Sequence, residues 1–180
     1  MLIGLISDTH IFTPEQNLPL AQIKEAFKGV SLILHAGDIH ISRVLDDLET
    51  IAPVLAAHGD NDMDEDAWQD KRVVKKQVLH IEGLEVWLTH IRPWYASINP
   101  AQPTRLYNRV FGRHQNVENV HVPDVVVFGH SHEVEREDLI GTLLVNPGSA
   151  TVPKYLSKHG TVGLLNIFDG KVEVQIVQLE

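Results

Sequence analysis

LIGLISDTH, Leu2 to His10, is an apolar run of strand length that breaks into an acid, a threonine and a histidine. An unbroken apolar run this short marks a strand covered on both faces, as in a parallel sheet. It has no basic residues ahead of its core and meets Asp8 too early to serve as a secretory leader. Open α/β sheets build their sites at the carboxyl ends of their strands, so the residues after each apolar run carry the functional question.

Working outward, strand and helix signals alternate. Leu20, Ile23, Ala26 and Phe27 recur at helical spacing, and Gly29 stands where the helix should stop. SLILHAGD is a second strand, and Ser42 is placed to cap a helix with Val44, Leu45, Leu48 and Ile51 on one stripe. PVLAAHGD is a third strand, which completes a βαβαβ start with right-handed crossovers. Beyond it, VVKKQVLHIEGLEVWLTH reads as two strands around Glu82-Gly83, and DVVVFGH as another buried strand. VEREDLIGTLLVN should turn near Gly141, and TVGLLNIFDGKVEVQIVQL at Asp169-Gly170. Parallel strands followed by hairpins predict an α/β (mixed α+β) fold: a four-layer α-β-β-α sandwich of two mixed sheets face to face, helices outside.

The 180 residues suit a single domain, 1–180, and the 43% apolar and 22% charged composition is that of a globular chain. No run approaches the ~20 apolar residues of a membrane span, so no membrane partner is expected. The absence of cysteine removes disulfides and thiolate metal sites, and with no targeting signal a cytoplasmic location is the default. A net charge of −9 argues against stable nucleic-acid binding and requires a local cation for any phosphate ester.

The strands end alike. LIGLIS runs into Asp8-Thr9-His10, LILHA into Gly37-Asp38, VLAAH into Gly59-Asp60-Asn61-Asp62, VWLT into His90, and VVVF into Gly129-His130-Ser131-His132. An extended backbone would aim Asp8 with His10, and His130 with His132, to one side. Any one of these is an ordinary cap, turn or satisfied histidine. Together they converge carboxylates that need bound cations. Oxygen and imidazole donors without sulfur suit Mn2+ (the first choice), Ni2+, Zn2+, Fe or Co2+, and three carboxylates with four imidazoles fit two metals better than one. A calcium loop starting at Asp60 is excluded, because its sixth and twelfth positions are Glu65 and Lys71.

In this order and spacing the motifs resemble the calcineurin-like metallophosphoesterase superfamily, from Asp8 to Ser149, and the short chain is similar to its small capless phosphodiesterase branch, to which the retromer scaffold subunit is related. The resemblance implies that Asp8, His10 and His132 hold one metal, Asp60, His90 and His130 the second, and that Asp38 bridges them. It also implies a metal-bridging hydroxide attacking phosphorus in line. Asp62 would orient the ligands from one step out. Asn146-Pro147-Gly148-Ser149 resembles a turn common in the family, although a plain Pro-Gly turn explains it.

Two departures shape the expected substrate. Relatives that cleave phosphomonoesters carry a histidine where this chain has Asn61, so Asn61 becomes a substrate-binding candidate and a phosphodiester, or an activated monoester, the expected substrate. His58 is the candidate replacement acid, against its plainer reading as a strand-end polar residue. After His90 the family's glycine gives way to Ile91 and Arg92, opening a predicted basic loop and helix insertion over 91–121. Residues 91–116 hold no acid and four arginines: Arg92, Arg105, Arg109 and Arg113. Arg92 is the candidate phosphate contact, and Trp94 or Tyr95 a candidate stacking residue. The alternatives to a phosphodiesterase acting on a small phosphodiester or nucleotide-type substrate are a scaffold with a degenerate site and a phosphomonoesterase or nucleotide hydrolase. A homo-oligomer is left open.

Overall fold

The structure, a computed structural model, describes residues 1–62, 66–93, 122–139, 141–153 and 160–180. The elements run β1 (Leu2–Ile6), α1 (Leu20–Ala26), β2 (Leu32–His35), α2 (Arg43–Glu49), β3 (Val54–Ala57), a 3-10 turn (Asp66–Gln69), and β4 (Val73–Val74). There follow β5 (Gln77–Ile81), β6 (Leu84–Leu88), β7 (Val125–Val127), β8 (Val134–Leu139), β9 (Thr142–Pro147), β10 (Thr161–Phe168) and β11 (Lys171–Gln178). They form a six-stranded sheet, β11-β10-β1-β2-β3-β4, and a five-stranded sheet, β5-β6-β7-β9-β8. Both are mixed: β1, β2 and β3 run parallel, as do β6, β7 and β9, with antiparallel hairpins at the edges.

Strand period explains the layers. Ile3 and Leu5 of β1 point into the core between the sheets, against Val86, Leu88, Val125, Val127 and Val145. Ile6, one residue out of phase, joins the other core with Ile23 and Phe27 of the α1 region and Leu45 and Leu48 of α2. Phe27 is fully buried, and its ring lies so near Gly4 that a Cβ there would sit 2.9 Å from it. The two mixed sheets packed face to face are as expected, and α1 and α2 cover the six-stranded sheet. The helix expected from Arg105, Arg109 and Arg113, like Trp94, Tyr95 and Glu65, lies outside the described residues. No helix among the described residues is long and apolar enough to cross a membrane.

Two local expectations change. VVKKQVLHIEGLEVWLTH supplies three strands rather than two, because Val73–Val74 stays with β3 in the first sheet before the chain crosses to β5 in the second. Ser42 precedes α2 but does not cap it: its side chain makes no cap bond, and both its hydroxyl and its N–H (2.8 Å) go to the Asp66 carboxylate. The three hairpin turns stand where expected; Glu82-Gly83 and Asp169-Gly170 both have positive φ at both central residues, as type I′ turns require.

Candidate metal centre

The strand ladders continue past the strands and lock their terminal loops together. Asp8 donates to Gly37 O (2.9 Å) and His10 to Asp38 O (3.0 Å) beyond β1 and β2; Thr89 donates to Val127 O and Gly129 to His90 O beyond β6 and β7. The expected extended backbone is absent. Asp8, His10, Asp38, His40, His130 and His132 all adopt positive φ, between 43° and 72°. Left-handed backbone costs a non-glycine residue on the order of 1–2 kcal/mol, and here it turns the chain sharply while keeping both members of each pair in the site. Gly129 and Gly59 permit the close approach: a Cβ would lie 1.9 Å from Ser7 Oγ at Gly129 and 2.0 Å from Asp38 Oδ1 at Gly59.

The seven candidate donors fall into two groups, Asp8, His10, Asp38 and His132, and Asp60, His90 and His130, each with donor atoms within 4.8 Å of one another. Asp38 faces both: its Oδ2 is 3.3 Å from His10 Nε2 and its Oδ1 3.4 Å from His90 Nε2. The imidazoles are oriented from behind. His90 Nδ1 donates to Ala36 O (2.7 Å) and His132 Nδ1 to Val152 O (2.7 Å), which leaves each Nε2 a lone pair aimed inward. His132 Nε2 meets His10 Nε2 at 3.1 Å, and His90 Nε2 meets Asp60 Oδ1 at 2.7 Å.

The electrostatics suit cations. Burial pushes the Asp8 carboxyl up, although Ser7, His90 and His132 oppose it. Burial outweighs the pull of Asp38 on His10 and, with His132 and His40, holds that imidazole below its ordinary value. Burial also acts upward on Asp60, but His90 and His130 outweigh it and keep that carboxyl below the usual range. A buried carboxylate that resists ionisation among inward lone pairs is the donor set a divalent ion relieves.

The remaining candidates are placed differently from one another. Asn61 donates its side-chain amide to Asp38 Oδ2 (2.9 Å) and its N–H to Oδ1 (3.1 Å). Asp62 is fully buried, and its hydrogen bonds among the described residues are all to backbone: its carboxylate accepts the N–H groups of Asp38 (3.1 Å), Ile39 (2.7 Å), His40 (2.8 Å) and Gly59 (2.7 Å). His58 is poorly placed to deliver a proton: Nε2 donates to Val73 O (3.1 Å), and Nδ1 is buried with no hydrogen-bond partner among the described residues. Arg92 pairs with Glu135 (2.7 Å) and Glu137, so its charge is already matched. Glu135 in turn accepts from Ser131 Oγ (2.9 Å), which makes Arg92 a brace for the His130–His132 loop.

Several supports do more than their plainer sequence readings as structural histidines or a simple turn. His40 Nε2 backs His10 Nδ1 at 3.0 Å; only its place beside Gly37-Asp38 hinted at it. Asn146-Pro147-Gly148-Ser149 is more than a Pro-Gly turn: Asn146 Nδ2 donates to Gly129 O (2.8 Å), and Ser149 Oγ to Asp8 O (2.6 Å). It thereby ties a ligand-bearing loop of each sheet to the other. His35 is fully buried; its Nδ1 accepts from Gly37 N–H (3.2 Å) and its Nε2 faces Thr9 Oγ1 (3.1 Å), so a second ring proton would break the Gly37 bond.

Burial brings the His35 pKa from its ordinary 6.5 down to about 4. The unfolded chain therefore takes up a proton first. The contribution to stability is complete above about pH 6.5 and is lost as pH falls toward 4, to a limit of about 3 kcal/mol. His35→Asn, which keeps an acceptor for Gly37, should flatten the fall of urea-unfolding free energy between pH 7 and 4.5. An unchanged slope would count against His35 as its source.

Two mixed sheets that deliver seven oxygen and imidazole donors from five strand ends define a metal-binding phosphoesterase architecture. The chain belongs to the calcineurin-like phosphoesterase superfamily, whose domain model matches residues 1–170. It is 32% identical over 180 residues to a probable metallophosphoesterase of Methanocaldococcus jannaschii, covering 100% of this chain and 82% of that one. A phosphodiesterase of the same organism is 25% identical over 179 residues, covering 92% and 93%. Among solved structures, Vps29 of Entamoeba histolytica, the retromer subunit, crystallised with zinc, matches with a TM-score of 0.64 at 22% identity, over 100% of both chains.

Proposed function

We propose that the protein is a dinuclear-metal phosphoesterase, acting on phosphodiesters by in-line displacement at phosphorus. The observation that carries it is Asp38, one carboxylate turned toward both donor groups. Asp8, His10 and His132 would hold one ion and Asp60, His90 and His130 the other. Two divalent cations there, Mn2+ by preference, would supply a water of lowered pKa and positive charge for the phosphate oxygens. The chain's own part is positional: Asn61 orients Asp38, and carbonyls fix His90 and His132. Asn61, bound to Asp38 and without an acidic proton, favours a leaving group that departs unaided, as in an activated diester. A scaffold with a lapsed site would have lost donors, whereas all seven positions are filled.

Hydrolysis of bis(4-nitrophenyl) phosphate should disappear with chelator and return with Mn2+. Activity indifferent to chelator, or absent with every divalent ion supplied, would reject this reading.

A further inference from the structure

Building on that phosphoesterase reading, we propose that a cleft beside Asp60 and His90 seats the nucleobase of a nucleotide-type phosphodiester, with Trp68 as its stacking face. The cleft has a volume of about 510 Å3 and is lined by His58, Asp60, Trp68, Lys75, His90 and Ile91, with Gly59 and Thr89 completing the wall. That volume is within the ~300–1,000 Å3 of small-ligand sites. Two of its lining residues are candidate metal donors, so a phosphate held there would direct its substituent into this space.

The cleft is built for a flat ring. Trp68 sits on the 3-10 turn that Ala67 fastens to His40 O (3.0 Å) and Asp66 fastens to Ser42 (2.8 Å), so its backbone is held from both sides. Its indole packs on the His58 ring at 3.7 Å between centroids, and His58 is itself fixed by Val73 O. The indole remains 37% exposed and Ile91, also in the lining, 50% exposed, two apolar side chains left open to solvent beside the site. Thr89 and Lys75 add polar residues to the lining, which a heteroaromatic ring can engage and a hydrocarbon tail cannot. Base stacking on an aromatic side chain is strong and tolerant of base identity, so the cleft would select for a base without reading which one.

The test compares binding of adenosine 5′-monophosphate and ribose 5-phosphate to Mn2+-supplied protein by calorimetry; the two differ by the base. The nucleotide should bind about tenfold more tightly. Trp68→Ala should erase that advantage while leaving ribose 5-phosphate binding in place, and Trp68→Phe should retain most of it. Equal binding of the two ligands by the parent protein, or an advantage that survives Trp68→Ala, would overturn the cleft. Equal weakening of both ligands in both variants would also overturn it, since Trp68 would then be supporting the phosphate site. Loss of metal-dependent diester hydrolysis in the parent rejects the phosphoesterase reading; hydrolysis with equal ligand binding rejects the cleft alone.

Discussion

Asp38→Asn is expected to lower hydrolysis of bis(4-nitrophenyl) phosphate about a thousandfold and to reduce the divalent metal retained after dialysis. The carboxylate presents Oδ2 to His10 Nε2 and Oδ1 to His90 Nε2, and both oxygens also accept hydrogen bonds from Asn61. An amide replaces one oxygen with a donor, so one donor group loses the shared carboxylate oxygen turned toward it and Asn61 loses an acceptor. Neighbouring residues cannot compensate, because Asp8 belongs to the first group and Asp60 to the second. Kinetics and elemental analysis on the same sample decide the matter. A variant that keeps parental metal content and parental rate would remove the basis for a bridging role.

Asp62→Ala should lower unfolding free energy by about 4 kcal/mol, the largest stability effect of any single side chain discussed above. Four backbone N–H groups, of Asp38, Ile39, His40 and Gly59, converge on that buried carboxylate. Alanine leaves them all unpaired, and each buried unsatisfied donor costs about 1–3 kcal/mol before relaxation and water entry reduce the sum. Asp62→Asn keeps one oxygen acceptor and turns an NH2 group toward the other donors, so its loss should be smaller. Urea unfolding measures both. A loss under about 1 kcal/mol for Asp62→Ala would mean the loop does not depend on the carboxylate. The same change should weaken metal retention, since Asp62 holds the backbone that carries Asp38.

Much of the fold could be read from one dimension, and for a definite reason. The buried strands are apolar runs, and the helices follow 3.6-residue spacing. The hairpins turn at Glu82-Gly83, Gly141 and Asp169-Gly170. These signals are local, so they survive without knowledge of what packs against them. The seven donor candidates were legible for the same reason: each follows an apolar run directly, and strand ends in an α/β sheet gather at one edge.

What the local signals omitted is set by contacts between residues far apart in sequence. Val73–Val74 joins the first sheet and Gln77–Ile81 the second, a choice made by which neighbour is free to pair. The left-handed backbone at Asp8 and His130 is held by His130 N–H bonded to Asp8 across 122 positions (3.1 Å), beyond the reach of any spacing rule. Asp62 and Asp60 stand two residues apart in the same acidic run; one is buried against backbone amides and the other lies 44% exposed beside His90 and His130. Residue type and order determined which strands form and which polar groups end them. The tertiary structure decided which of those groups face one another, because the partner that fixes a carboxylate's role comes from another strand end.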